Sequence, residues 1–316
     1  MKRFINRKYL MLLISGIILS LCFRYILTSF QWLEIIEILK NAKLFWLLGV
    51  VPVSILISWL LRTWRWFILL KNLNVHINFV ELYLCNVCAM SLTIVTPLQS
   101  GEMLKVELLK SRGLIERFSG YSSFLVERIL DLFVVISLAA LFTLTSFYFG
   151  ISHSTIIAAW MILILILILS VSTVNKIKVK GKIGEFLAHL RAYTSNIQSL
   201  WPVLLLTFCS WSVVAIGWQI CLYSISIDLG FQKSMALMSI ITIINILSLI
   251  PGAIGISEVS IAEFLVHTNS GLASAQAGSL IIRFFGLLII FLGLVHFLLW
   301  KRLKTSPTNL VRVRSK

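Results

Sequence analysis

Charged residues are scarce in this sequence: they make up 13% of its 316 residues, whereas an average soluble protein has about 25%. Polar, mixed-charge stretches long enough to form a soluble domain are missing as well. Hydrophobic residues account for 59% of the chain. These features argue against an ordinary soluble protein. They predict an all-α polytopic membrane protein in which residues 1–316 form a single membrane domain.

The motifs of common enzymes and metal sites are also missing. The sequence has no HExxH motif, no glycine-rich phosphate loop and no metal-spaced cluster of His, Cys and Asp. The five cysteines all fall in apolar segments, where they are expected to be small buried hydrophobic residues. We therefore expect no enzymatic activity, no cofactor and no metal site.

The charge that is present is mostly basic, with a formal net charge of +16. In a soluble protein such a charge would suggest a nucleic-acid partner. Here the basic residues flank apolar segments, as the positive-inside rule describes for membrane proteins. The pattern predicts a chain that binds no nucleic acid and has both termini in the cytoplasm.

Six segments are apolar and long enough to span a bilayer, which takes about 20 residues. They are residues 9–30, 44–61, 124–149, 155–174, 201–227 and 277–300. The first is longer than the apolar region of a signal peptide and lacks a small-residue cleavage site, so we expect a retained helix.

Two further apolar segments contain or end in breaks at proline and glycine. Basic residues on either side of the first segment place both of its ends in the cytoplasm, so it cannot cross the membrane an odd number of times. The span before the second segment exits to the outside and the span after it must begin there, so the same parity applies to the second segment. We therefore predict two re-entrant hairpins, 79–118 from the cytoplasmic face and 235–268 from the opposite face. The residues expected to break them are Pro97, Pro251, Gly252 and Gly255.

With these hairpins the chain divides into two halves, at about residues 9–149 and 155–300, followed by a basic cytoplasmic tail at 301–316. Each half is predicted to contain two helices, a hairpin and a further helix, in that order. Because each half crosses the membrane an odd number of times, the second half is inverted relative to the first. Pro97 precedes Arg128 by 31 residues and Pro251 precedes Arg283 by 32. Inverted repeats with paired broken helices are typical of secondary transporters.

Acidic residues follow both breaks. Glu102, after Gln99 and Gly101, and Glu258 are placed at the starts of the following helices. They can serve as ordinary helix caps, or they can face a polar cavity in which free backbone amides favour an anion. The residues alone leave both interpretations open.

Other charges accompany the breaks in sequence. Glu127, Arg128 and Asp131 share a helix face, either as an interfacial charge cluster or as an ion-pair network in which Arg128 contacts Glu102 or Glu127. Arg283 lies within the last apolar segment, so Glu258 or Glu263 is expected to pair with it. Arg62 and Arg65 alternate with tryptophans and favour interfacial anchoring over phosphate contact.

Three motifs in order carry a family resemblance: Pro97-x-x-x-Gly101-Glu102, then Val126-Glu127-Arg128-Ile129-Leu130-Asp131, then Pro251-Gly252-Ala253-Ile254-Gly255-Ile256-Ser257-Glu258. They resemble the lysylphosphatidylglycerol synthase transmembrane-region family, also called flippase-like or UPF0104. The resemblance implies a multi-pass protein of a prokaryotic cell membrane that moves or handles lipids. We expect a stand-alone member without the soluble synthase domain, and we therefore do not expect the synthase activity.

Two positions depart from the family pattern. Gln99 stands where the family usually has Arg, and Thr93 stands where Asn is common. The lipid of this chain therefore need not be the lipid of its relatives.

The sequence favours a lipid transporter, or flippase, that moves an anionic phospholipid or a polyprenyl-phosphate-type lipid between leaflets. The anionic headgroup would be its ligand. The alternative is an accessory membrane subunit, without transport of its own, that partners a cell-envelope glycosyltransferase or lipid-modifying enzyme. An intramembrane lipid-modifying enzyme ranks third, because no catalytic constellation is found.

Overall fold

A computed structural model of the chain describes residues 2–146, 154, 157–158, 160–162, 181–195, 197–248 and 250–305. Regular structure in these ranges is helical throughout and includes no strand, which confirms the predicted all-α class. Most of the span predicted at 155–174 and most of the tail predicted at 301–316 lie outside the described residues.

The described part of the chain contains eleven α-helices. The first half contains α1 (Lys2–Ser29), α2 (Trp32–Lys40), α3 (Val51–Asn72), α4 (Phe79–Leu92), α5 (Leu104–Ser111) and α6 (Arg117–Ser146). After them come α7 (Lys182–Ser195), α8 (Trp201–Ser224), α9 (Gly230–Leu247), α10 (Ile256–His267) and α11 (Leu272–Thr305). A π-helical turn at Phe45–Val50 runs directly into α3.

Four helical stretches in the described part of the chain are long and apolar enough to cross a membrane: Phe45–Asn72, Trp201–Ser224, Gly230–Leu247 and Leu272–Arg302. Three of them match predicted spans. Gly230–Leu247 does not, because the sequence assigned most of it to one arm of the 235–268 hairpin. An arm of 18 residues is within the range of a full crossing. The six spans, the hairpin orientations and the two domain halves stay predictions.

A bent pair of helices accounts for a fifth candidate span, which overlaps the span predicted at 9–30. Gly16–Ser29 and Trp32–Lys40 meet at an angle of 80°. The bend frees backbone groups, and one amide side chain satisfies two of them. Gln276 Oε1 accepts a hydrogen bond from Gln31 N at 2.8 Å, and Gln276 Nε2 donates to the Ser29 carbonyl at 3.1 Å. Such compensation is what makes a broken helix tolerable in lipid.

The first internal break follows α4 and consists of a 3₁₀ segment, Pro97–Met103, that leads into α5. Gly101 makes the turn possible because its backbone approaches α4 closely. A Cβ atom at this position would lie 2.8 Å from the Leu92 carbonyl oxygen. The Gly101 N–H donates instead to Thr96 Oγ1 at 2.8 Å. The predicted break at Pro97 is therefore a compact, hydrogen-bonded turn.

The second break follows α9 and consists of a 3₁₀ turn, Pro251–Ala253, before α10 begins. Gly252 has a φ of 63°, in the left-handed region that favours glycine. A Cβ atom there would overlap the carbonyl oxygen of Ile94, the residue that lies just before the first break. The two breaks therefore touch each other backbone to backbone.

Contacts between the two halves follow a pattern. The order α3, α4–break–α5, α6 is repeated as α8, α9–break–α10, α11. If each helix is exchanged for its counterpart in the other set, the contacts are preserved. α3 packs on its own counterpart, α8. The contact of α6 with α9 corresponds to the contact of α11 with α4. The two sets of helices therefore pack against each other through corresponding members.

Candidate functional site

Six charged side chains from three helices and the first break form one connected ion-pair network, which we call the buried network. They are Arg65, Glu102, Lys105, Glu127, Arg128 and Asp131. All except Arg128 are almost completely buried, and the Arg128 side chain is 23% exposed. A cluster of this kind is expensive inside a membrane unless every charge is paired.

Arg65 lies at the centre of the buried network, on α3, with no exposed side-chain surface. Its Nε and Nη2 atoms donate to Glu127 Oε1 at 3.1 and 3.0 Å. Nη1 donates to Asp131 Oδ1 at 2.6 Å and to Thr207 Oγ1 at 3.2 Å. The planar guanidinium thus holds α6 against α3 and reaches α8, a geometry that a lysine cannot reproduce.

Lys105 connects the first break to the network. Its Nζ lies 3.0 Å from Glu102 Oε1 and also forms an ion pair with Glu127 Oε2. The same ammonium lies 4.4 Å from the centre of the Trp66 ring, close enough for a cation–π contact. The sequence analysis did not single out Lys105. Its spacing of three residues from Glu102 was the signal available.

Arg128 completes the network at the edge facing the break. Its Nη2 lies 2.9 Å from Glu102 Oε1 and 2.6 Å from Asp131 Oδ2. Of the two partners predicted for Arg128, the structure selects Glu102, because Glu127 pairs with Arg65 and Lys105. These contacts favour the ion-pair network over the interfacial cluster. Glu102 therefore pairs cations rather than capping a helix.

A second, smaller cluster forms at the second break. Arg283 Nε on α11 lies 2.5 Å from Glu258 Oε1, and Arg283 Nη1 donates to the Gly252 carbonyl at 3.0 Å. Glu258 Oε2 accepts from the Gly255 N–H at 2.6 Å, so this carboxylate both caps α10 and pairs with Arg283. Glu258 is the partner that the structure selects from the two predicted, and Glu263 is exposed on α10.

A cavity of about 160 Å³ lies between the buried network and the second cluster. Its lining includes Arg62, Glu102, Trp218, Asn245, Glu258 and Arg283. Side chains from α3, α8, α9 and α11 and from both break regions therefore meet at one cavity, in which charged and polar groups lie among apolar side chains.

Arg62 is the cation of this cavity with no carboxylate partner among the described residues. Its exposed fraction is 8%, and its guanidinium carbon lies 4.2 Å from the centre of the Trp211 ring. The Nε atom is buried without a hydrogen-bond acceptor. The interpretation of Arg62 and Arg65 as interfacial anchors is therefore wrong, because both side chains point into the protein.

Several cavity residues were missed from the sequence. Trp211 donates from Nε1 to Asp131 Oδ1 at 3.0 Å, while Trp218 and Asn245 line the cavity. Asn245 could have been noticed in the sequence, because it is an amide side chain within the apolar run of α9. The Gln99 side chain lies outside the part of the chain that the structure describes. Thr93, the other departure from the family pattern, lines the cavity.

Comparison with known proteins identifies the kind of chain that carries this site. The family model described as the lysylphosphatidylglycerol synthase TM region matches residues 11–294. A UPF0104 membrane protein of Archaeoglobus fulgidus is 26% identical over 284 residues, covering 79% of this chain and 84% of that protein. No solved structure matches the chain. The matched range includes both breaks and both charged clusters, and the chain belongs to the lysylphosphatidylglycerol synthase transmembrane-region family.

Proposed function

We propose that this protein moves a lipid with an anionic headgroup between the leaflets of a prokaryotic cell membrane. The observation that carries the proposal is the cavity bordered by Arg62 and Arg283, each with a buried nitrogen that has no hydrogen-bond acceptor. Positively charged hydrogen-bond donors without acceptors cost free energy in a membrane interior. An anionic headgroup passing through the cavity would satisfy them, while its acyl chains remain in lipid.

The helix breaks support a pathway rather than a closed binding site. Non-helical backbone at membrane depth is tolerated where protein or a water-filled cavity covers it. The two breaks touch at Gly252 and Ile94, and residues adjoining each of them line the cavity. The contact of α6 with α9 also has a counterpart in the contact of α11 with α4, which is what two related halves of a chain would produce. We take this as support for an inverted repeat with a re-entrant hairpin from each side.

The orientation of the hairpins is testable by cysteine labelling. In a background that lacks the five native cysteines, Ser111→Cys should react with an impermeant maleimide only from the cytoplasmic face. Gly271→Cys should react only from the opposite face, because it follows the second hairpin. Both positions are exposed, so poor access is no explanation for a negative result. Labelling of both from the same side would refute the inverted arrangement.

Transport itself is testable in liposomes that contain the purified protein and a fluorescent phosphatidylglycerol. A membrane-impermeant quencher then reports the fraction of lipid in the outer leaflet. We expect exchange between leaflets to be about tenfold or more faster than in empty liposomes. Arg24→Gln, which removes an exposed cation of α1, is the matched control and should transport normally.

Absence of exchange for phosphatidylglycerol and for a polyprenyl phosphate would overturn the transport proposal. Stable co-purification with an envelope glycosyltransferase or lipid-modifying enzyme would then favour the accessory-subunit alternative. We propose no catalytic step for either function.

A further inference from the structure

We infer that a groove between α4, α5 and α11 binds a membrane phospholipid that stays with the protein, with an acyl chain in the groove and its phosphate at Arg112 and Trp300. The groove has a volume of about 370 Å³, within the range of small-molecule sites. It is separate from the cavity between the breaks, because among the described residues the two have no lining residue in common. The inference therefore does not rest on the transport proposal.

The lining of the groove is suited to a hydrocarbon chain. Apolar side chains from all three helices contribute to it: Leu92, Leu104, Leu108, Ile290, Leu294 and Phe297. Leu294 is 55% exposed, so the groove opens on the outer surface of the protein. That surface lies in lipid if α11 spans the membrane. A hydrocarbon chain is the group that such a surface meets and that such a lining favours.

Close packing of α4 on α11 fixes the shape of the groove. Ser91 and Gly293 both line it, and a Cβ atom at Gly293 would lie 2.1 Å from Ser91 Cβ. α4 packs on α5 as well as on α11, so α4 forms the floor and the other two helices form the walls. The groove is therefore formed before any ligand enters, as ligand sites usually are.

The tryptophan at one end of the groove carries an unsatisfied donor. Trp300 lines the groove and is 8% exposed. Its Nε1 atom is buried, with no acceptor in the part of the chain that the structure describes. A buried indole N–H usually has a hydrogen-bond partner. An oxygen atom of a bound ligand would supply that partner.

Arg112 brings a second unsatisfied donor to the same end. Its guanidinium carbon lies 4.2 Å from the centre of the Trp300 ring, and its Nη1 atom pairs with Glu81. The Nη2 atom is buried and has no acceptor among the described residues. Two side chains in contact with each other, one of them charged, thus each have a buried N–H group free for a ligand.

A phosphate group suits these two donors. Guanidinium groups bind phosphate oxygens with strong, directional hydrogen bonds, and a phosphodiester has a second free oxygen for the indole N–H. Lys110 and Lys301 are exposed close to Arg112 and Trp300 in sequence, and they add positive charge at this end. An apolar helix of a second copy could cover the groove, but its side chains would leave both donors unsatisfied. A phosphate joined to a hydrocarbon chain matches both parts of the site.

Native mass spectrometry of the purified, delipidated, full-length protein tests the inference. The first probe is dioctanoyl phosphatidylethanolamine, which is zwitterionic and so is poorly matched to the cavity proposed for an anionic lipid. Dioctanoylglycerol lacks the phosphate, and glycerophosphoethanolamine lacks the chains. We expect the complete phospholipid to bind about tenfold or more tightly than either. Equal binding of dioctanoylglycerol would overturn the phosphate contact, and equal binding of glycerophosphoethanolamine would overturn the role of the groove.

Variants locate the bound lipid. Leu294→Trp fills the groove from an exposed position and should weaken phospholipid binding about tenfold. Leu287→Trp is the matched control, because Leu287 lies on the same helix, is also 55% exposed and lines neither cavity. Trp300→Phe keeps a ring beside Arg112 and removes the N–H group, so binding should weaken about threefold to tenfold. Wild-type affinity in Leu294→Trp would overturn the site.

The same spectra distinguish the other outcomes. A wild-type dimer without bound lipid that becomes a monomer in Leu294→Trp would show that a second copy covers the groove, and it would overturn the inference. Arg283→Gln should bind the phospholipid normally even where leaflet exchange is lost. Absence of leaflet exchange with normal phospholipid binding would therefore refute transport alone, and normal exchange without binding in the groove would refute this inference alone.

Discussion

Replacement of Arg65 by methionine is expected to prevent the protein from accumulating in folded form. The substitution leaves Glu127 and Asp131 buried and without their central cation. Breaking a buried ion pair by removing one partner costs about 3–5 kcal/mol, a large share of the ~5–15 kcal/mol that stabilises a typical domain. Size-exclusion chromatography of detergent extracts, with thermal unfolding of any surviving protein, measures the effect.

An exposed ion pair provides the matched comparison. Arg117 pairs with Glu107 at 2.9 Å, with side chains that are 51% and 37% exposed. Arg117→Met removes the same charge and should cost less than about 1 kcal/mol. Arg65→Lys should be intermediate, because it keeps the charge but cannot bridge both carboxylates. A stable Arg65→Met protein would show that the buried network does not hold the fold together.

Replacement of Arg283 by glutamine is expected to abolish most lipid exchange while leaving the protein folded. Glu258 keeps hydrogen bonds from the Gly255 N–H at 2.6 Å and from Ser257 Oγ at 3.3 Å. The break therefore retains its local structure. The cavity loses one of its two arginines and gains an unpaired carboxylate, which repels an anion. We expect about a tenfold to hundredfold loss of leaflet exchange in the liposome assay.

Two further variants separate charge from structure at this site. Glu258→Gln combined with Arg283→Gln removes the unpaired carboxylate, so it should remain folded like Arg283→Gln without recovering exchange at the wild-type rate. Arg283→Lys keeps the cation and should recover part of the exchange. Exchange at the wild-type rate in Arg283→Gln, with normal folding, would remove Arg283 from the pathway.

Local patterns were enough for the helical class and for the positions of the breaks. Proline and glycine at Pro97, Gly101, Pro251 and Gly252 punctuate apolar runs, and the structure breaks its helices at both places. The expectation that Arg283 pairs with Glu258 or Glu263 followed from the cost of an unpaired cation in an apolar segment, and the structure selects Glu258. These inferences need only neighbouring residues or a single partner.

The burial of Arg62 and Arg65 could not be predicted from local patterns in the same way. Their position beside tryptophans at the end of an apolar run matches an interfacial belt, and what buries them comes from distant parts of the chain. Arg65 contacts residues 62, 66 and 142 positions away. Hydropathy carries no information about such long-range partners. For the same reason it could not place Lys105 or Trp211 in the site.

The contact between Gly252 and the Ile94 carbonyl has an electrical consequence. If each break is reached from its own side of the membrane, as proposed, the barrier between the two aqueous faces is thinnest where the breaks touch. The membrane potential then falls across this short distance, at about 2.3 kcal/mol per elementary charge for 100 mV. A monovalent anion crossing there feels nearly the whole voltage. If the protein moves an anionic headgroup as proposed, an interior-negative potential would favour its outward movement.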